Sequence, residues 1–199
     1  MMIDKELNQQ IKCMLGESVK KGPLFYFKNC NHVLHGLLLE RRKVGIYPWV
    51  FIYPLFDVDR NYTLDYSFLM RDSIVLSDGK SHEQLNSEIA ANLDSLSESL
   101  TQNFSLDRFC EEMVSSEVKF NLPKIKCSYG ISQALLGNFD VATDILTTYL
   151  PNVRKEEMSG NFSLVLSRLL DKDFDAAVNA IDSFENTMIS RLKLRIACR

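Results

Sequence analysis

The sequence predicts an α+β fold: an N-terminal helix, a four-stranded antiparallel meander with packing helices, and then α-helical hairpins. Three observations predict it. Apolar residues recur every three or four positions near the N-terminus and again after Ser81, which is the helical period. Between Leu24 and Met70 lie four runs rich in aromatic, aliphatic and β-branched residues, separated by short polar turns. Further on, Gly137-Asn138-Phe139-Asp140-Val141-Ala142 is echoed 35 residues later by Lys172-Asp173-Phe174-Asp175-Ala176-Ala177.

Taken in order, Ile3, Leu7, Ile11 and Met14-Leu15 predict a short amphipathic helix that Gly22-Pro23 ends. The four runs are Leu24 to Cys30, Val33 to Arg41, Tyr47 to Phe56 and Leu64 to Met70. Their connections are too short for parallel crossovers, so the strands form antiparallel hairpins. Ser81-His82-Glu83-Gln84 has the form of a capping box and precedes Leu85, Ile89, Leu93, Leu96 and Leu100 at helical spacing. Another helix starts near Ser105, with Phe109 and Met113 on its apolar side. The expected division is an α+β domain over residues 1–119 and a helical hairpin region over 120–199, packed on the first as one compact unit. With 46% apolar residues the chain can build a proper core.

The third strand is apolar on both faces. Tyr47, Trp49, Phe51 and Tyr53 alternate with Pro48, Val50, Ile52 and Pro54, placing an aromatic set on one side and an aliphatic set on the other. Two readings stay open: helices cover both faces, or part of the aromatic row is an open docking surface. Pro54 cannot donate a ladder hydrogen bond, which predicts an edge strand or a bulge near its end.

Charge is uneven along the chain. Lys5 to Lys43 holds eight basic and three acidic residues, whereas Asp57 to Glu117 holds four basic and thirteen acidic, beneath an overall net charge of −3. Acidic character disfavours nucleic acid, whose phosphates need Lys and Arg, and favours a basic protein partner. In an up-and-down meander the acidic loop with Asp57 and Asp59 lies at the end of the sheet away from Arg41-Arg42-Lys43. Asp57 and Asp59, with the aromatic row, are therefore the candidate partner-binding residues. No stretch approaches the roughly 18 uninterrupted apolar residues of a membrane span, and the N-terminus is charged, so a cytoplasmic protein is expected. Five cysteines without close spacing point to reduced thiols.

Catalytic and metal signatures are weak. Asp57-x-Asp59-x-Asn61 opens like a calcium loop, but Tyr62 and Phe68 stand where that loop requires glycine and a bidentate glutamate. Cys30-x-His32-x-x-His35 supplies zinc-type ligands, but His32 and His35 would point to opposite faces of an extended strand. Cys110 falls in an apolar helical stretch and packs as a small hydrophobe. No Gly-rich phosphate loop follows a strand. No cofactor and no metal are expected.

The repeated turn carries a resemblance. Ala134-Leu135 and Leu169-Leu170 precede the two copies, and Ile145, Leu146, Tyr149 and Ala180, Ile181, Phe184 follow them at helical spacing. With Gly130 at the position of an early packing glycine, Ala142 and Ala177 as the small residues of the second helices, and Val165 replacing the glycine in the second copy, residues of about 123–198 resemble the tetratricopeptide repeat. Two units are too few for a free-standing array, so this resemblance implies hairpins that buttress something else. A weaker resemblance covers about residues 5–115. The order helix, Phe-Tyr-Phe strand, meander, long helix ending in Asn103-Phe104-Ser105-Leu106 and acidic helix looks like bacterial immunity-type proteins of toxin systems. It implies a non-enzymatic protein that binds and occludes a cognate toxin. A repeat-bearing adaptor or regulatory protein is the alternative, and an enzyme of unrecognised type comes third.

Overall fold

In the computed structural model, the described residues are 5–15, 18–21, 24–27, 29–57, 64–92, 105–153 and 160–196. The architecture is α+β, and the chain divides into two compact units. One comprises residues 1–30, 34–52 and 66–104, the other 31–33, 53–65 and 105–199.

The first unit is a helix-covered antiparallel sheet. The strands of that sheet are β1 (Ser18–Lys21), β2 (Leu24–Phe27), β3 (Val33–Arg42), β4 (Gly45–Pro54), β5 (Ser67–Leu69) and β6 (Val75–Leu76). The order is β1-β2-β3-β4-β5, with β6 also paired to β4. The four strands expected from the sequence are β2 to β5. Strand β1 was not legible because Ser18-Val19-Lys20-Lys21 lacks apolar alternation, yet it pairs with β2 from Ser18 opposite Phe27 to Lys21 opposite Leu24. Strand β4 is not an edge: Gly45 and Ile46 face β6, and Trp49, Val50 and Phe51 face Leu69, Phe68 and Ser67 of β5. Pro54 is tolerated because it is the last residue of the strand. Gly36 lets β3 and β2 close up: a Cβ there would stand 2.1 Å from the Phe25 carbonyl oxygen.

Among the described residues, two α-helices accompany the sheet in this unit. Helix α1 (Lys5–Leu15) buries Leu7, Ile11 and Leu15, the stripe read from the sequence. Helix α2 (His82–Ala91) begins with the predicted capping box: the Ser81 hydroxyl accepts from Gln84 N–H, and the Gln84 side chain accepts from Ser81 N–H at 2.8 Å. The expected continuation through Leu93, Leu96 and Leu100 lies outside the described residues.

The second unit is helical. Its elements are α3 (Leu106–Ser115), α4 (Glu117–Phe120), α5 (Pro123–Leu135), α6 (Phe139–Tyr149), α7 (Gly160–Leu170) and α8 (Phe174–Leu192). Ser105 caps α3, and Phe109 and Met113 on its inner face are fully buried. Helix α3 packs on α5 and so extends the stack by one layer before the first hairpin.

The hairpins α5–α6 and α7–α8 turn by the same backbone device. Gly137 has φ 82° and Lys172 has φ 58°, both left-handed. Asn138 N–H donates to the Gln133 carbonyl and Gly137 N–H to that of Ala134; Asp173 N–H donates to Arg168 and Lys172 N–H to Leu169. This is the Schellman C-cap, in which carbonyls left over at a helix end are satisfied by a left-handed residue. The two phenylalanines that follow, Phe139 and Phe174, stack with ring centroids 4.3 Å apart and planes 4° from parallel. Gly130 has the packing role inferred for it: an added Cβ would meet Ile145 Cγ2 of α6 at 3.0 Å. In the second hairpin Val165 takes that position and is fully buried.

The two turns make a matched test. Gly137→Ala places a Cβ in the left-handed region and is expected to lower stability by about 1 kcal/mol. Lys172→Gly removes the same strain and is expected to raise stability by up to about 1 kcal/mol, offset in part by glycine's added chain entropy. Equilibrium urea unfolding of both variants checks the opposite signs.

Candidate functional site

The aromatic row grades from half-buried to closed. The Arg42 guanidinium lies over the Tyr47 ring at 4.9 Å, and Trp49 Nε1–H donates to Glu40 Oε2 at 2.9 Å. Arg42 bonds the same Glu40 oxygen at 2.9 Å, and that contact, followed by the Trp49 bond, holds the Glu40 carboxyl below its usual range. Phe51 and Tyr53 are buried, as are their neighbours Val50 and Ile52. Phe51 and Tyr53 are thereby corrected as candidate partner-binding residues; Tyr47 and Trp49 keep partial access, with Arg42 and Glu40 as their charged neighbours.

Asp57 is not a surface charge. Its side chain is 0% exposed and its carboxylate lies 3.1 Å from the Lys124 ammonium, itself only 5% exposed. Tyr53 Oη–H donates to the Asp57 carbonyl at 2.5 Å, and Asp57 N–H donates to Pro54 O at 3.1 Å. The expectation of Asp57 as a partner-contact charge is thus corrected: an ammonium on α5 supplies the counter-charge that lets this carboxylate enter the interior. Asp59 lies outside the described residues.

His32 is the most constrained backbone position of the helical unit. Val33 N–H donates to Asn31 O at 2.6 Å around a His32 φ of 58°, the three-residue γ-turn of the rare, strained hand. Three bonds hold it there. Leu55 N–H donates to the His32 carbonyl at 2.8 Å, and Nδ1 sits 2.9 and 3.0 Å from the two oxygens of Glu185, which is fully buried in α8. Strain of this kind costs about 1–3 kcal/mol and persists only where surroundings over-determine it. His35 is separate. It stacks on Phe27 at 4.2 Å, and burial lowers its pKa to about 4, so the ring is neutral. Burial likewise pushes the Cys110 thiol up to about 11 and the Cys127 thiol up to about 12, leaving both protonated and unreactive at neutral pH.

The candidate site with room for a ligand is a groove of about 410 Å³ in the helical unit. One wall is a stripe of α6 made by Asp140, Thr143, Asp144 and Thr147, residues at i, i+3, i+4 and i+7 that share a face. The other wall is the end of α7 and the turn after it: Leu169, Leu170, Lys172 and Phe174. Leu170 is 60% exposed, the highest value among the exposed large hydrophobic residues described. Asp140 and Asp144 are exposed, and among the described residues neither forms an ion pair with Lys172 or any other cation. In the sequence Leu169-Leu170 belong to the apolar stripe of a hairpin expected to buttress the rest of the chain. The usable signal was the Asp140/Asp144 spacing, which puts two like charges on adjacent turns of one face.

No protein-family model, no curated protein and no solved structure matches this chain. Fold and geometry define an α+β protein bearing two helical hairpins with an acid-walled groove.

Two measurements test the interior charges. Lys124→Met leaves the Asp57 carboxylate buried without the ammonium 3.1 Å away and is expected to cost about 3–5 kcal/mol; adding Asp57→Asn recovers much of that loss, as denaturant midpoints of the two variants will show. For His35 the folded pKa, about 4, lies below the ordinary 6.5, so the unfolded chain binds the proton more readily. Its contribution is present above pH 6.5 and is lost as pH falls towards 4. His35→Phe, which preserves a ring beside Phe27, should therefore flatten the decline in stability over that interval in a pH series of unfolding curves.

Proposed function

We propose that this chain is a non-enzymatic protein-binding protein. The single observation that carries the reading is the open groove of the helical unit, where exposed carboxylates face an exposed leucine. Apolar surface rimmed by unneutralised charge is what a partner covers on binding, and it is otherwise a cost to the free protein. Suppression of the Cys110 and Cys127 thiols supports the same reading, since thiolates rather than thiols are nucleophiles. In its more specific form the partner is a cognate toxin, occluded stoichiometrically inside the cell. That form rests on the pattern resemblance of residues 5–115 to immunity-type proteins.

A specific observation favours a second reading. His32, strained and oriented through Nδ1 by buried Glu185, has the arrangement of a general base whose Nε2 does the proton transfer. In that case the chain is an enzyme.

Tagged full-length protein purified from its native cells is expected to retain one protein in one-to-one ratio. For the toxin form, that protein arrests growth when expressed alone and not when co-expressed with this chain. Many substoichiometric partners would instead favour an adaptor, and the absence of any partner would overturn the binding function.

A further inference from the structure

We infer that the groove between α6 and the α7–α8 turn receives a cationic side chain, Lys or Arg, followed closely by an aliphatic one, on a segment of the partner protein. This deepens the protein-binding reading and rests on it. The charge comes first. Asp140 and Asp144 stand at i and i+4, where like charges repel across one helical turn. Three other acidic side chains of the helical unit do meet a Lys or Arg: Asp57 meets Lys124, and Glu111 and Glu112 both meet Arg108. Among the described residues no cation forms an ion pair with Asp140 or Asp144. An ammonium or guanidinium entering from outside supplies the missing counter-charge, whereas a phosphate is repelled, which sets nucleic acid aside.

The opposite wall selects what accompanies the charge. Leu170 is more than half exposed, and Phe174, fixed by stacking on Phe139, stands with it at the groove. An aliphatic side chain laid there covers apolar surface of both and removes it from water, which favours binding. Thr143 and Thr147 offer hydroxyls between the two acids and the far end of the stripe, suited to backbone amides of an extended segment. Lys172 marks the other side of the groove and repels a second cation, so the segment carries one basic residue at this site and enters in one direction. A volume of about 410 Å³ holds two side chains, at the small end of ligand pockets, which span about 300–1,000 Å³.

The experiment uses isotope-labelled full-length protein and acetylated, amidated octapeptides in which Lys or Arg lies one to four residues from Leu, with matched peptides carrying Gln at the basic position. The expected result is a set of amide shifts confined to residues 140–147 and 169–174, produced by basic peptides and not by their Gln counterparts. Affinity should fall at least tenfold in Asp140→Asn/Asp144→Asn and weaken with added salt. Leu170→Ser should weaken binding without changing the salt dependence, and Asp182→Asn on α8 serves as a charge control that leaves binding intact. Equal binding of Gln peptides, shifts elsewhere, no shifts at all, or spermidine binding as tightly as any peptide would each overturn the inference. Failure here and failure of the binding function are distinguishable: a native partner that still co-purifies with the Asp140→Asn/Asp144→Asn variant leaves the function standing and removes the groove as its site.

Discussion

Two buried carboxylates in the interior of the helical unit set the terms for the rest of it. Asp57 and Glu185 are carboxylates with no exposed surface, and each is met by a cation or a hydrogen-bonding ring from a segment distant in sequence. A charge removed from water must be matched locally or the fold is heavily destabilised. The short segments 31–33 and 53–57 therefore belong with α5 and α8 rather than behaving as loops of the strands they border. The same requirement explains why His32 tolerates a left-handed γ-turn: its carbonyl and its ring are both committed to partners that a relaxed backbone would not reach.

Around that interior the hairpins are set by local chemistry. A left-handed residue closes each first helix, a phenylalanine opens each second one, and the two phenylalanines stack on each other. Gly137 adopts its conformation freely and Lys172 does so at a cost, so the second turn depends more on its neighbours. Close approach of α5 and α6 over Gly130 gives way in α7 to a buried Val165, which fills the corresponding place with side chain instead of backbone proximity. The groove arises beside this stack, where the turn after α7 leaves Leu170 uncovered next to the acidic stripe of α6.

The sequence by itself determined the local elements. Ser81-His82-Glu83-Gln84 specified a capping box, Ser105 a helix start, and the repeated Phe-Asp-x-Ala a repeated turn, because caps and C-terminal turns are decided by contacts within a few residues. The four apolar runs specified antiparallel strands for the same reason, since short connections leave no other pairing. Tertiary structure alone decided the environment of charges and rings. Nothing adjacent to Asp57 distinguishes a solvated loop acid from one paired with Lys124, and His32 and Glu185 are separated by 153 residues. Nor does an alternating aromatic strand say which of its residues end half-covered by Arg42 and Glu40 and which end sealed. Periodicity reports which face of an element is apolar, whereas burial, counter-charge and the space left for a ligand depend on what the fold brings opposite that face.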